Sequence, residues 1–444
     1  MIRHASRAPR AAATGRVAAV LAVVLVAGGG AAAALADALP WSDDDGAPPA
    51  AEATDATTAP ATTGESPSPT PTPTPTPEPD AVFTLVAAGD VLTHEPVLKA
   101  ARAGDAYDFG PLLAPMQPYV AGADLALCHL EVPIAPAGTQ PSGFPMFGAP
   151  VQMAQALAAE GWDGCSTSSN HSLDRGEAGV TATLDALDAA GLGHVGTARS
   201  PEEAAAPQLY ELERNGQRIE VAHIAATYGT NGIPVPADAP WSVTLIDTDA
   251  MIAEAQAARE AGADIVVASV HCCVEYTNEA TAEQERIATA LGASGQVDLL
   301  IGHHAHVPQP IATVPGGPTG SGMWVAYGLG NFISNQGPHA GLPAETQSGV
   351  LLTATFTKPA EGPASVTSVE WSAVTVDRRG GYRVYDASAA AAAGAPAGEV
   401  PAAEVAARRA LVAGVVGTQA PERTTPPEPT GPPAVRVLRG APPS

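Results

Sequence analysis

Five apolar stretches of strand length each run into a side chain able to bind a metal ion. Residues 82–88 lead into Gly89-Asp90, 124–130 into Glu131, 164–167 into Asn170-His171, 265–270 into His271, and 299–301 into Gly302-His303-His304-Ala305-His306. Asp90, Glu131, Asn170, His271, His304 and His306 together offer two carboxylates, one amide oxygen and three imidazoles. That donor set suits two borderline divalent ions such as Mn, Fe or Zn. Calcium, which takes oxygen ligands, does not suit so much imidazole. His303 is the least constrained imidazole of its run and is left outside the ligand set.

These residues are far apart in sequence, so a sheet must bring them together. In an α/β sheet the C-terminal strand ends meet along one edge, where ligand sites form. The pattern fits such a sheet, because the apolar runs, with 219–224 and 324–326, alternate with Ala-rich stretches of helical period. Helices are predicted over 177–190 and 250–261, ended by Gly191 and Gly262, and over 281–291. After Gly349 the pattern is all strand, so the domain is expected to close with antiparallel strands. The reading is an α/β domain over 81–386 with a largely buried sheet.

The flanks read differently. Residues 1–36 carry four Arg and no acid, and residues 17–36 hold no charge at all. This is an export signal or an N-terminal membrane anchor. Either delivers the rest outside the cytoplasm with the Arg cluster inside. Residues 37–80, ending in alternating Pro and Thr, read as a disordered, extended linker. Residues 387–444 read as a disordered Ala/Pro-rich tail, with an isolated helix allowed over 402–416.

The chain has 444 residues and a net charge of −25. The acidity lies mainly in the central segment, where 33 acids face 12 bases. Such a surface repels phosphate backbones and excludes nucleic acid as a partner. No nucleophile elbow, P-loop or dinucleotide fingerprint is present.

The ordered motifs GD (89–90), LE (130–131), NHSLD (170–174), HCCVEY (271–276), GHHAHVPQ (302–309) and GLGNF (328–332) resemble the CapA family of capsule and poly-γ-glutamate synthesis proteins, within the calcineurin-like metallophosphatase superfamily. The resemblance covers most of 81–335. It implies a layered sheet sandwich flanked by helices, with a two-metal site at the C-terminal strand ends. Asp90 and His306 would bind the first ion, Glu131 would bridge, and Asn170, His271 and His304 would bind the second. His171 would give a proton to the leaving group. The implied activity is metal-dependent hydrolysis of phosphoester type, linked to synthesis, export or anchoring of an anionic polymer such as poly-γ-glutamate. Capsule-synthesis membrane proteins are the implied partners, and the anionic polymer or a phosphoester is the implied substrate. Bound cations would also stop Asp90 and Glu131 from repelling that substrate.

Two departures matter. The superfamily places a His two residues after the first-motif Asp, where this chain has Leu92, so a single bound ion is an alternative to two. His94, four residues after Asp90, is a candidate replacement. A degenerate metal site would make the chain a non-catalytic, polymer-binding accessory protein. The family's Trp-Gly after the fourth-motif His is Cys272-Cys273 here, which admits a vicinal disulfide, two thiols or two small apolar side chains. Cys128 and Cys165 lie near the ends of site-bearing strands, which allows a bridge between them.

The remaining polar residues divide as follows. Asp174 is expected to fix a loop or a His tautomer. Glu275 and Tyr276 either line a substrate pocket or start the next helix, and Asn331 is a candidate substrate contact in a Gly-rich turn. Asn170-His171-Ser172 also fits a glycosylation sequon, against which its strand-end position argues. His129, His194, His223 and His339 have no supporting context.

Overall fold

The computed structural model describes residues 79–439; the expected signal or anchor over 1–36 and nearly all of the 37–80 linker lie outside them. The strands β1 (Ala81–Val91), β2 (Leu125–Leu130), β3 (Gly164–Ser166) and β4 (Gly193–Val195) lie side by side in parallel. Helix α1 (Gln152–Glu160) precedes β3, and α2 (Gly176–Ala190) precedes β4. Gly191 ends α2 in the left-handed region with φ 83°, a conformation that favours glycine.

The chain then builds a second sheet. An antiparallel hairpin of β5 (Gln208–Arg214) and β6 (Gln217–Thr227) is extended by parallel β7 (Ile265–His271) and β8 (Leu299–His303). The crossovers are α3 (Thr248–Glu260), capped by the Asp247 carboxylate, and α4 (Ala282–Ser294), started by a Thr281/Gln284 capping box. After β9 (Ile311–Val314) and β10 (Met323–Ala326), the chain returns to the first sheet. There β11 (Asn331–Ile333) pairs with the end of β1, and β12 (Ser348–Lys358), β13 (Ser365–Asp377) and β14 (Arg383–Asp386) add antiparallel strands. The result is an eight-stranded and a seven-stranded sheet.

Alternation along each strand explains the layers. Leu85 and Ala87 of β1 and Leu125 and Leu127 of β2 join one core with Val221, Val267, Leu299 and Ile301 of the other sheet. Val86 and Ala88 face the opposite way, in a core with Met153 and Leu157 of α1. Val266 and Ala268 likewise share a core with Ala255 of α3 and Leu291 of α4. Helices therefore flank two stacked sheets, in a mixed α/β fold.

The expected disordered tail needs correction, because the fold continues through 439. Helices α5 (Ala387–Ala392) and α6 (Ala402–Val416) pack Ala387, Val405, Val412 and Val416 into the inter-sheet core cluster, beside Val369 and Trp371. The strand β15 (Val435–Val437) then pairs with β5. Small apolar residues at helical spacing suffice here because the core they meet is already formed. The Pro-rich stretch between is held by polar bonds: buried Asp124 accepts from Thr430 N–H at 2.7 Å and from Arg214 at 2.7 Å. Among the described residues, no helix is long and apolar enough to cross a membrane.

Candidate metal centre and its cleft

The site forms where the inward faces of both sheets run out of apolar residues. On β2, Leu125 and Leu127 are followed on the same face by His129 and then Glu131. On β8, Leu299 and Ile301 are followed by His303, and β7 ends at His271. In β1 a register shift between Ala87 and Asp90 turns the Asp90 carboxylate into this layer. Two glycines make the convergence possible. A Cβ on Gly89 would sit 2.0 Å from the Gly330 carbonyl oxygen, and one on Gly302 would sit 1.8 Å from that of Tyr327. Beyond β8 the loop is turned by His304 and His306, both left-handed with φ 81° and 56°. Non-glycine residues in that region are strained by about 1–3 kcal/mol each. Here the turn aims both imidazoles at the carboxylates.

Asp90, Glu131, His271, His303, His304 and His306 are all at most 2% exposed, and Asn170 is 3% exposed. His306 Nδ1 is 3.1 Å from Asp90 Oδ2, and its Nε2 is 3.7 Å from Glu131 Oε1. His271 Nε2 is 2.8 Å from Asn170 Oδ1 and 4.0 Å from Glu131 Oε1. Asn231 accepts a hydrogen bond from the Asn170 amide N–H at 3.1 Å, which leaves the Asn170 oxygen aimed at His271. His304 donates its backbone N–H to Asp90 at 3.2 Å. All six residues expected to bind metal thus meet at one place.

The donors fit a cationic group. Both oxygens of Glu131, Oδ1 of Asp90 and Nδ1 of His303 and His304 are buried without a hydrogen-bond partner. Buried polar atoms are ordinarily paired, and leaving several unpaired around one point is costly. Asp90, Glu131 and His306 place ligand atoms within 4.8 Å of one another, as do Asp90, His129 and His303.

Electrostatics point the same way. Burial raises the Glu131 carboxyl well above the usual range. Burial also disfavours charge on Asp90, but the neighbouring His303 and His306 outweigh it and hold Asp90 low. His303 Nδ1 lies 3.3 Å from Asp90 Oδ1. Burial opposes a proton on His306, yet Glu131 and Asp90 raise it to about 9. A protonated Glu131 and its full negative charge on His306 exclude one another, so these three groups share their protons as one cluster. Burial pushes His304 down to about 3 and His271 well below its ordinary value. Metal ligands must be deprotonated. Loading at pH 7 is therefore expected to expel at least one proton per chain, with affinity rising up to about pH 9 as His306 loses its proton. Calorimetry in buffers of different ionisation enthalpy reads this; a pH-independent affinity without proton release would remove His306 from the ligand set.

A cleft of about 560 Å³ opens onto this cluster, its lining including Leu92, His94, Phe147, His171, Tyr276 and His306. His171 Nδ1 is 2.7 Å from Asp174 Oδ2, which also accepts from Phe147 N–H at 2.7 Å. Asp174 thus fixes the imidazole. Glu275 lies on the cleft with Oε1 3.8 Å from His306 Nε2, and Tyr276 lines the same wall. Neither starts a helix, since α4 begins at Ala282.

Two expectations change. Asn331 is fully buried, and its amide donates to the His306 carbonyl, Gln336 and Thr346 while its oxygen faces His306 Nδ1 at 3.2 Å. It orients His306 and has no hydrogen bond left for a substrate. His94 is in none of the donor clusters whose ligand atoms lie within 4.8 Å of one another; it lines the cleft, with Nδ1 accepting from Asn335 N–H at 3.3 Å. Leu92 is buried in the apolar core.

His129 and His303 were outside the expected set, yet both are built into the centre. His129 Nε2 is 2.9 Å from His271 Nδ1, and its Nδ1 is 2.8 Å from Ser166 Oγ, so it sets the orientation of His271. The spacing of Leu125, Leu127, His129 and Glu131 is the signal that places His129 on the site face. Cys128 is bridged to Cys165 across β2 and β3, and Cys272 to Cys273 directly after His271.

The sequence profile described as "Bacterial capsule synthesis protein PGA_cap" matches residues 84–336, more than half of the chain. The chain belongs to this family. Within the bacterial capsule synthesis proteins, similar relatives include the PGA biosynthesis protein CapA of Bacillus subtilis, 31% identical over 179 residues, or 38% of this chain and 42% of that protein. A protein named as a probable polyglutamine synthesis accessory protein of Mycobacterium tuberculosis is 28% identical over 254 residues, 50% of this chain and 63% of its own. The chain thus spans about half the length of the curated relatives it matches. Similar solved structures include the calcineurin-like phosphoesterase YfkN of Bacillus subtilis, with 14% identity and a TM-score of 0.38 over 69% of this chain and 94% of that one. The NAD nucleotidase of Haemophilus influenzae gives 12% identity and a TM-score of 0.40 over 69% and 54%.

Proposed function

We propose that this capsule synthesis protein is a metal-dependent hydrolase of phosphoester-type chemistry, acting outside the cytoplasm in the synthesis, export or anchoring of an anionic polymer such as poly-γ-glutamate. The observation that carries the reading is the buried donor cluster of Asp90, Glu131, Asn170, His271, His304 and His306, in which both Glu131 oxygens, Asp90 Oδ1 and His304 Nδ1 have no hydrogen-bond partner, beside a cleft that presents His171. Divalent ions held there would supply Lewis-acid polarisation of a phosphoryl or acyl oxygen.

The chain's own residues supply the rest. Asp90, Glu131 and His306 would hold one ion, and Asn170, His271 and His304 the other, with Glu131 shared. Asp174 keeps a proton on His171 Nδ1, so a second proton on Nε2 is the one transferred to the leaving oxygen. No Lys or Arg lines the cleft among the described residues, so an anionic substrate depends on the cations for its attraction. Two disulfides and the N-terminal apolar run support an oxidising, extracytoplasmic setting.

Leu92 favours a second reading, a non-catalytic polymer-binding protein with an incomplete metal site. Hydrolysis of phosphomonoesters and phosphodiesters by the purified full-length chain separates the two. Turnover that disappears on chelation and returns with Mn or Zn supports the hydrolase; polymer binding without any turnover supports the accessory role.

A further inference from the structure

Resting on the metal-centre reading, we infer that Glu275 is a further ligand of the ion that Asp90, Glu131 and His306 would hold, the one whose imidazole ligand lines the cleft. Its carboxylate oxygen and one ring nitrogen each of His304 and His306 lie within 4.8 Å of one another. Ligand atoms each about 2 Å from one ion are separated by roughly 3–4 Å; Glu275 Oε1 lies 3.8 Å from His306 Nε2.

The backbone holds Glu275 in that position. Tyr276 N–H donates to the Ala305 carbonyl at 2.8 Å, and Asn278 Nδ2 donates to that of Pro308 at 3.0 Å. These bonds stitch the Glu275 segment to the loop carrying His304 and His306. Tyr276 itself is left-handed with φ 63°, a third strained residue beside His304 and His306. Leu92, 1% exposed, also lines the cleft and has no donor atom. The Glu275 side chain is 38% exposed, unlike that of Asp90 or Glu131. It is therefore the ligand that an incoming oxyanion reaches first, and it sets how tightly the cleft-side ion is kept.

The test is metal binding by full-length wild type, Glu275→Gln and Glu95→Gln, each loaded with Mn²⁺ or Zn²⁺, dialysed, counted by elemental analysis and titrated against a competing chelator. Glu95 is an acid on the same cleft but outside the imidazole cluster. Expected is a weakening of one ion's binding in Glu275→Gln by about 10- to 100-fold, the other ion keeping its affinity and Glu95→Gln matching wild type. Wild-type binding in both variants overturns the inference, and so does an equal loss in both, which would mean long-range charge alone. Loss of both ions with a lowered melting temperature overturns it too, as a folding defect. A wild-type chain that binds no metal overturns the metal-centre reading itself.

Discussion

Replacing His171 with alanine is expected to lower phosphoester turnover by about 10²- to 10⁴-fold while leaving the metal content unchanged. His171 is not in the buried donor cluster; it lines the cleft, its Nδ1 held 2.7 Å from Asp174 and its ring in edge contact with Phe147 at 4.7 Å. Removing the imidazole takes away the proton for the leaving oxygen and no ligand atom. Asp174 keeps its bond from Phe147 N–H, so the loop is not left without a partner. A substrate whose leaving group needs no proton, such as a nitrophenyl ester, should lose much less. Steady-state kinetics with good and poor leaving groups, beside elemental analysis, make the measurement. Equal losses for both substrates, or unaltered turnover, would deny His171 the proton-donor role.

Replacing Glu131 with leucine is expected to invert the order of stability between stripped and loaded protein. Glu131 is fully buried, and neither carboxyl oxygen has a hydrogen bond. An unpaired buried polar group costs about 1–3 kcal/mol, so in metal-free protein a leucine of similar volume should raise the melting temperature. Added metal stabilises whatever binds it in the folded state. Wild type should therefore gain on loading, and the variant, without its bridging carboxylate, should gain little. Thermal unfolding with chelator and with Mn²⁺ or Zn²⁺ shows the crossing. A variant less stable than wild type by the same amount in both conditions would make Glu131 an ordinary packing residue.

Much of this site was legible in the sequence because its signal is local. Each apolar run that ends on Asp, Glu, Asn or His reports both a strand and the residue at its end. His129 and His303 were missed for the opposite reason: His129 is a lone His within an apolar run, where it reads as core or surface, and His303 is the least constrained imidazole of the 303–306 run. Only period-2 alternation, such as Leu299, Ile301 and His303, shows that they share the site face. Asn331 was misread because a Gly-rich turn suggests an open loop, whereas the return of the chain from β10 to β11 buries its amide. The helix over 402–416 was legible, but its docking into the core and the short helix α5 were not, because Ala and Val carry little burial signal on their own. Val405 and Val412 become core only when β12 and β13 offer a surface, a non-local fact. The short strand β4 and the mixed-polarity strand β5 fall below what alternation resolves.

The number of divalent ions per chain tests the central claim most directly. Full-length protein, loaded with Mn²⁺ or Zn²⁺, dialysed and analysed by elemental mass spectrometry, is expected to retain two ions, one on each half of the Asp90–Glu131–His306 and Asn170–His271–His304 cluster. Retention of no metal by protein that is folded by circular dichroism would contradict it.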